Sequence, residues 1–195
     1  MYLVDGPSDS SLVFLFAHGA GGAMDTPFMA SVAGGLGERG IRVVRFEFPY
    51  MAARRSGGGR GAPDRPAVLL DSYRRVIDEH GGGPAVFVGG KSMGGRIASM
   101  VADEAGVRGL ICFGYPFHPP GKPARLRTAH LEELRTPALI LQGTKDPFGR
   151  PEEVGGYRLS PQIRVEWIEG GDHSLKGKGN LEAGVDLAAA FISIR

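Results

Sequence analysis

Short apolar runs alternate with amphipathic segments along most of the chain. Six runs have the length of strands, at residues 11–16, 42–48, 85–88, 110–113, 138–141 and 163–168. Four of them are almost continuously apolar, which is typical of strands buried on both faces of a parallel sheet, whereas 42–48 and 163–168 alternate more and fit positions nearer an edge. The pattern therefore predicts a sheet whose strands are mostly parallel.

Helical periodicity occupies the intervals between these runs. The residues that share one helical face are Met29, Val32, Ala33 and Leu36, then Leu69, Tyr73, Val76, Ile77 and His80, then Ile97, Met100, Val101 and Ala105, and last Leu181, Val185, Ala188 and Ile192. Strands that alternate with helices imply right-handed crossovers, which place helices on both faces of the sheet. We therefore predict a three-layer α/β/α sandwich around a mostly parallel sheet of about six or seven strands.

Composition and length favour a single domain that spans residues 1–195. The chain has 32 glycines and 14 prolines, and 42% of its residues are hydrophobic. No Gly-X-Y period accompanies the glycine excess, so a collagen fibre is excluded, and the apolar content is enough to build a core. Two segments lack apolar periodicity, the glycine-rich residues 54–65 and the proline-rich residues 115–124, and both are predicted to be loops.

Charge and cysteine content exclude several classes of protein. Lys and Arg total 23 and Asp and Glu total 21, with the signs mixed along the chain, so the clustered basic face that nucleic-acid binding requires is missing. The single cysteine, Cys112, excludes an internal disulfide framework. No secretory signal or membrane-length apolar run is present. We expect a cytoplasmic protein with a small-molecule substrate and no nucleic-acid or membrane partner; nothing in the sequence indicates its oligomeric state.

The motif with the clearest chemical meaning is GGKSMGG at residues 89–95, which contains G-x-S-x-G around Ser92. It lies directly after one apolar run and directly before a helical pattern. A serine on such a sharp strand-to-helix turn has a strained backbone, needs small neighbours, and lifts its hydroxyl off the edge of the sheet. The following N–H, that of Met93, begins the helix, where an anion is stabilised. The motif predicts that Ser92 is a nucleophile.

A nucleophilic serine needs a base, and the base needs an acid that orients it. Asp146 follows the fifth apolar run in the segment GTKDPF, and His173 follows the sixth in GGDHS. The chain order Ser, Asp, His is the one expected when the serine stands on such a turn, and both residues lie past the carboxyl ends of strands, where open α/β sheets place their sites. We therefore predict Asp146 as the acid and His173 as the base.

The segment HGAGG at residues 18–22 ends the first strong apolar run. A His-Gly step there lets the chain turn closely around the site and offers a second donor for a developing oxyanion. We predict that this donor is the N–H of Ala20, with that of Gly21 as the alternative, and that His18 has a structural role.

Taken together, HGAGG, GGKSMGG, GTKDPF and GGDHS resemble the α/β-hydrolase superfamily. The resemblance is greatest to its small dienelactone-hydrolase-like branch of predicted serine hydrolases, whose eukaryotic relatives include hydrolase-like chromatin-complex subunits. It extends over nearly the whole chain, and it implies Ser92 as nucleophile, Asp146 as acid, His173 as base, and the main-chain N–H groups of Ala20 and Met93 as the oxyanion hole.

The chain also departs from the fuller family. Its N-terminal part is too short for the usual leading pair of strands, and no cap domain is inserted after residues 110–113. The nucleophile of a dienelactone hydrolase proper is a cysteine, whereas this chain has Ser92. The resemblance therefore implies a minimal α/β-hydrolase fold without a cap and leaves the substrate open.

Two nucleotide-binding motifs fail on their spacing. A phosphate-binding loop ending in Gly-Lys-Ser at residues 90–92 would need a glycine where Ala85 stands, and its open positions would fall in a buried strand. A dinucleotide fingerprint beginning at Gly19 and Gly21 would need a third small residue where Met24 stands.

The sequence thus predicts a serine hydrolase that cleaves a small carboxylic ester or a related acyl bond, with no metal or cofactor. The alternative is a weakly active or inactive scaffold that binds protein partners.

Residues after strand ends are the candidates for the substrate pocket. These are Tyr50, Met51, Lys91, Tyr115 and Phe117, for which ordinary packing is the competing interpretation. The cationic side chains of Arg54, Arg55 and Arg60, together with Lys91, either favour an anionic acyl group or are solvated. Without a cap the site should be shallow and open.

Overall fold

The computed structural model describes residues 1–59 and 61–194, and within these residues seven strands form one sheet. The strands are β1 (Tyr2–Asp5), β2 (Val13–Ala17), β3 (Arg42–Phe46), β4 (Val86–Lys91), β5 (Gly109–Phe113), β6 (Ala138–Gly143) and β7 (Ile163–Ile168). Their order across the sheet is β1-β3-β2-β4-β5-β6-β7; β1 is antiparallel to β3, and all the other neighbouring pairs are parallel. The predicted, mostly parallel sheet is confirmed.

Helices cover both faces of the sheet. They are α1 (Pro27–Glu38), α2 (Pro49–Arg55), α3 (Pro66–Glu79), α4 (Met93–Ala105), α5 (Pro151–Val154) and α6 (Asn180–Ser193). The apolar side chains of α1 and α6 form one core cluster with one face of the sheet, and those of α2, α3 and α4 form a second cluster with the other face. This is the predicted three-layer sandwich. The predicted faces of α1, α3, α4 and α6 are buried or half-buried, although His80 lies just past the end of α3.

The central strands are apolar throughout because they supply both core clusters. In β2, Phe14 and Phe16 point into the cluster of α1 and α6, while Leu15 and Ala17 point into the other. Successive side chains of a strand lie on opposite faces, so a strand covered on both faces shows no polar alternation.

Three elements of the structure, β1, α2 and α5, were missed by the sequence patterns. Strand β1 adds an antiparallel edge, where Asp5 forms an ion pair of 2.8 Å with Arg45 of β3. The prediction of a loop from residue 54 was wrong at its start, because α2 begins with Pro49 and continues to Arg55. Arg60, named above as a possible anion-binding residue, lies outside the described residues. No helix in the described part of the chain is long and apolar enough to cross a membrane.

Tyr73 of α3 links its helix to the main chain of two central strands. Its fully buried hydroxyl lies 2.9 Å from the carbonyl oxygen of Leu15 and 2.7 Å from that of Gly89, and it accepts a hydrogen bond of 2.9 Å from the Gly89 N–H. Burial raises the pKa of Tyr73 well above its usual range, so the hydroxyl keeps the proton it donates. The contact fixes the strand that leads to Ser92.

We expect Tyr73→Phe to lower the free energy of unfolding by about 1–3 kcal/mol, because buried main-chain groups lose a partner. Urea denaturation measures the change. The matched control is Tyr157→Phe, since the buried Tyr157 hydroxyl has no hydrogen-bond partner among the described residues. The control should change stability by no more than about 0.5 kcal/mol; equal losses in both variants would contradict the bracing role.

Candidate active site

Ser92 stands on the turn between β4 and α4 in a backbone conformation that side chains rarely adopt. Its φ is 52° and its ψ is −114°, and its N–H donates a hydrogen bond of 3.1 Å to the carbonyl oxygen of Phe113 on the neighbouring strand. A Cβ placed on Gly90 would lie 2.6 Å from the Ala17 carbonyl oxygen, and one on Gly94 would lie 2.5 Å from the same atom. Only glycine fits at either position, so the local sequence permits the turn that presents Ser92.

The structure brings His173 and Asp146 to this serine. The Nε2 atom of His173 lies 2.8 Å from Ser92 Oγ, and its Nδ1 atom lies 2.7 Å from Asp146 Oδ2. Asp146 follows β6 and His173 follows β7, so the three side chains meet at the carboxyl edge of the sheet. Each ring nitrogen therefore has one partner, as a base between a hydroxyl and a carboxylate requires.

Asp146 is fully buried, and its carboxylate is satisfied by hydrogen bonds. Oδ1 accepts one from the Phe148 N–H at 2.9 Å, and Oδ2 accepts one from Gln142 Nε2 at 2.9 Å as well as the contact with His173. The Phe148 ring also stacks on the His173 imidazole, with centroids 4.1 Å apart. Sequence reasoning missed Gln142, which lies in β6, and Phe148; the spacing of Phe148 two residues after the acid was the available signal.

Residues 19–22, the glycine loop, face the serine across the site. His18 holds one end of this loop: its Nδ1 lies 2.7 Å from the Gly19 carbonyl oxygen, and its Nε2 lies 3.1 Å from the Phe48 nitrogen. The Phe48 N–H must donate to Nε2, which assigns the proton to Nδ1. Burial lowers the pKa of His18, in keeping with a neutral ring that bridges two stretches of main chain.

Tyr50 holds the middle of the glycine loop. Its hydroxyl donates a hydrogen bond of 2.9 Å to the carbonyl oxygen of Ala20. Burial raises the pKa of Tyr50 to about 12, so it remains a donor. Across the site, Met93 is the first residue of α4, where main-chain N–H groups have no partner within the helix. Ala20 and Met93, the two predicted oxyanion donors, thus belong to a braced loop and to a helix start.

A cleft of about 430 Å³ opens beside Ser92 and His173. Besides these two residues it is lined by the glycine loop, Thr26, Phe28, Met29, Lys91, Phe148 and Ser174. Of the five candidates for the pocket, only Lys91 is among its lining residues. Thr26, Phe28 and Met29 come from the start of α1, which no motif pointed to.

The other four candidates lie in the core cluster of α2, α3 and α4 rather than on the cleft. Tyr115 and Phe117 are fully buried, and their rings pack together with centroids 4.9 Å apart. Met51 is 5% exposed, and Tyr50 reaches the site through its hydroxyl, which contacts the carbonyl oxygens of Ala20 and Gly19. The chain after β5 turns inward at Gly114, whose φ is +66°, so the aromatic residues that follow it pack beneath the site.

No group of three or more His, Cys, Asp or Glu side chains among the described residues could hold a metal ion. What the site does contain is a hydroxyl, an imidazole and a carboxylate in one hydrogen-bonded chain. That arrangement can remove the serine proton and stabilise the imidazolium that results.

Comparison with known proteins agrees with this architecture. A family model described as an alpha/beta hydrolase domain matches residues 10–190. Among solved structures, an alpha-beta serine hydrolase homologue from Coxiella burnetii is 22% identical, with a TM-score of 0.73 over 97% of this chain and 90% of that chain. The dienelactone hydrolase from Anabaena variabilis is 21% identical, with a TM-score of 0.74 over 98% and 90%.

A third structure bears on the missing cap. It is a member of the a/b serine hydrolases without lid from Xanthomonas campestris, 20% identical, with a TM-score of 0.67 over 98% of this chain and 85% of that chain. At these identities the likeness establishes the fold. The dienelactone-hydrolase-like fold expected from the sequence is therefore confirmed, and the elements of the described residues include no inserted cap domain.

The strain at Ser92 can be measured without any substrate. We expect Ser92→Gly to be more stable than Ser92→Ala by about 1 kcal/mol, because glycine relieves a strained φ that costs about 1–3 kcal/mol for residues with a Cβ and offsets its own entropic penalty. Both variants lose the hydroxyl, so the difference between their free energies of unfolding reports the strain of the backbone.

Ser31, an exposed residue inside α1, provides the control. At an ordinary helical position glycine is less stable than alanine by about 0.5–1 kcal/mol, so the order should reverse for Ser31→Gly and Ser31→Ala. Thermal and urea unfolding of the four variants measure this. If alanine were the more stable residue at both positions, Ser92 would not be strained.

Proposed function

The chain belongs to the alpha/beta hydrolase domain family, and on that premise we propose that it is a serine hydrolase that cleaves small carboxylic esters through an acyl-serine intermediate. The observation that carries the proposal is the hydrogen-bonded chain from Ser92 Oγ through the His173 imidazole to Asp146. A serine that served only to cap a helix would need neither partner.

In the first half of the proposed reaction, Ser92 Oγ attacks the ester carbonyl carbon while His173 Nε2 takes the hydroxyl proton. Asp146 holds the imidazole in the tautomer with the proton on Nδ1 and stabilises the imidazolium as it forms. The stacked Phe148 ring limits rotation of the imidazole. His173 then gives its proton to the leaving alcohol, and the acyl group remains on Ser92.

In the second half, water attacks the acyl-serine. His173 accepts a proton from the water and returns it to Ser92 Oγ, which releases the carboxylic acid and restores the site. In both halves the carbonyl oxygen becomes an oxyanion. We propose that the N–H groups of Met93 and Ala20 stabilise it, a contribution for which the loss of one donor typically costs about 2.7–4 kcal/mol.

The cleft supports a small or slender acyl group. Its volume is about 430 Å³, and Phe28, Met29 and Phe148 give it apolar walls close to the serine. Among the described residues no inserted cap extends these walls. We therefore propose short-chain esters rather than long-chain lipids as substrates.

The nucleophile is tested by covalent labelling and by turnover. We expect a fluorophosphonate probe to label the wild-type chain on Ser92 and to leave Ser92→Ala unlabelled. Ser92→Ala and His173→Ala should each reduce the kcat for p-nitrophenyl acetate by about 10³-fold or more, because the members of such a triad act as a unit.

His80→Ala is the matched control, since His80 lies at the end of α3, where its ring contacts the Val76 carbonyl oxygen and Tyr2, and it does not line the cleft. It should retain wild-type turnover. A wild-type chain that resists the probe, or a loss of less than about tenfold in Ser92→Ala, would contradict the proposal and favour the non-catalytic scaffold.

The size of the cleft is tested with p-nitrophenyl esters of increasing acyl length. We expect kcat/KM to be greatest for acetate and butyrate and to fall by about tenfold or more for palmitate, whose chain cannot be covered by the cleft. Activity that rose with acyl length would contradict the proposed substrate class.

A further inference from the structure

Lys91, the residue before Ser92, carries a buried ammonium group that the mechanism above does not use. It is the last residue of β4 and is 9% exposed. Its Nζ donates a hydrogen bond to the main-chain carbonyl oxygen of His173 and lies 5.3 Å from the centroid of the Phe28 ring. Among the ion pairs of the described residues, none involves Lys91.

Burying an ammonium without a carboxylate partner is unfavourable unless other groups compensate for its lost hydration. The His173 carbonyl and the face of the Phe28 ring are the compensating groups here. A lysine that only filled space in the core would be less costly as a methionine or a leucine. The hydrogen bond to the His173 carbonyl oxygen is therefore the feature that favours a lysine at this position.

The backbone around Lys91 leaves room for that bond. Gly114, directly after β5, has a φ of +66°, and a Cβ placed on it would lie 2.8 Å from Lys91 Nζ and 2.7 Å from the His173 carbonyl oxygen. Any side chain at this position would press on both atoms of the hydrogen bond. The glycine after β5 thus leaves room for the hydrogen bond between Lys91 of β4 and the loop that carries His173.

We propose that Lys91 is a positioning residue, whose ammonium holds the main chain of His173 and thereby fixes the imidazole relative to Ser92 Oγ. This inference rests on the proposed function. The ring of His173 is held by Asp146 and Phe148, but the backbone of its loop is tied to the nucleophile by Lys91. Because Lys91 and Ser92 are consecutive, the hydrogen bond of Lys91 links the backbone of the proposed base to that of the proposed nucleophile. A displacement of about 1 Å between reacting groups can cost about 10²-fold in rate.

The bond should depend on pH. Burial lowers the pKa of Lys91 to about 8, and the charges of Asp146 and Asp172 oppose this shift. The titratable groups that face Nζ are these two carboxyl groups and the His173 imidazole. Below pH 8 the ammonium is charged and its bond is charge-assisted; above pH 8 the neutral amine donates more weakly. We therefore expect the wild-type kcat to fall as the pH rises through about 8.

The test compares Lys91→Met, which is one atom shorter than lysine and cannot donate, with Lys91→Arg, which stays charged to well above pH 10. With p-nitrophenyl acetate, we expect Lys91→Met to lower kcat by about 10- to 100-fold while KM changes by less than about threefold. It should also lose the alkaline fall. Lys91→Arg should recover most of kcat and hold it flat through alkaline pH.

Lys178→Met is the control, because Lys178 is exposed in the same loop as His173; it should match the wild type. A kcat for Lys91→Met within about threefold of the wild type, or a loss confined to KM, would overturn the positioning role. If Lys91→Met does not fold, the wild type and Lys91→Arg decide the question, since an alkaline fall retained in Lys91→Arg overturns it as well.

Fluorophosphonate labelling of the wild type separates this inference from the proposed function. A labelled, active wild type combined with an unaffected Lys91→Met rejects the role of Lys91 alone. A wild type that is neither labelled nor active rejects both.

Discussion

The positive φ of Ser92 is the constraint on which the geometry of the site depends. A residue with a side chain holds such a conformation only where its surroundings require it. Here the surroundings are two glycines that admit the Ala17 carbonyl and a hydrogen bond from the Ser92 N–H to Phe113. The turn is therefore fixed to the strands on both sides of β4. The Ser92 hydroxyl is thereby held in a fixed position at the edge of the sheet, and the other groups of the site are arranged around it.

Burial decreases from Asp146 to His173. Asp146 is fully buried and held by the Phe148 N–H and by Gln142. His173 lies in a loop and takes its position from several separate contacts, namely the carboxylate, a stacked ring and the Lys91 ammonium. The proposed base is thus held by three separate contacts rather than by burial in the core.

Sequence patterns predicted those residues whose chemical type and whose position after a strand indicate the same role. Glycines, Ser92, Asp146 and His173 each follow an apolar run, and this pattern predicts both the edge of the sheet and a candidate active site. The patterns missed β1, because four half-exposed residues carry no period, and Gln142, because the direction of a polar side chain at a strand end depends on its neighbours. They also placed Tyr115 and Phe117 on the pocket. Both residues follow a strand end as expected, but the left-handed turn at Gly114 directs them into the core.

The hydrogen bonds of His18 make the stability of the glycine loop depend on pH. The imidazole accepts a hydrogen bond from the Phe48 N–H through Nε2, and burial lowers the pKa of His18 below that of the unfolded chain. As the pH falls below about 6.5, the unfolded chain binds a proton that the folded chain resists, so the stability contributed by His18 is present above that pH and declines below it. Protonation would also remove the acceptor that anchors the glycine loop. Acid therefore acts on the main chain that shapes the wall of the cleft opposite Ser92.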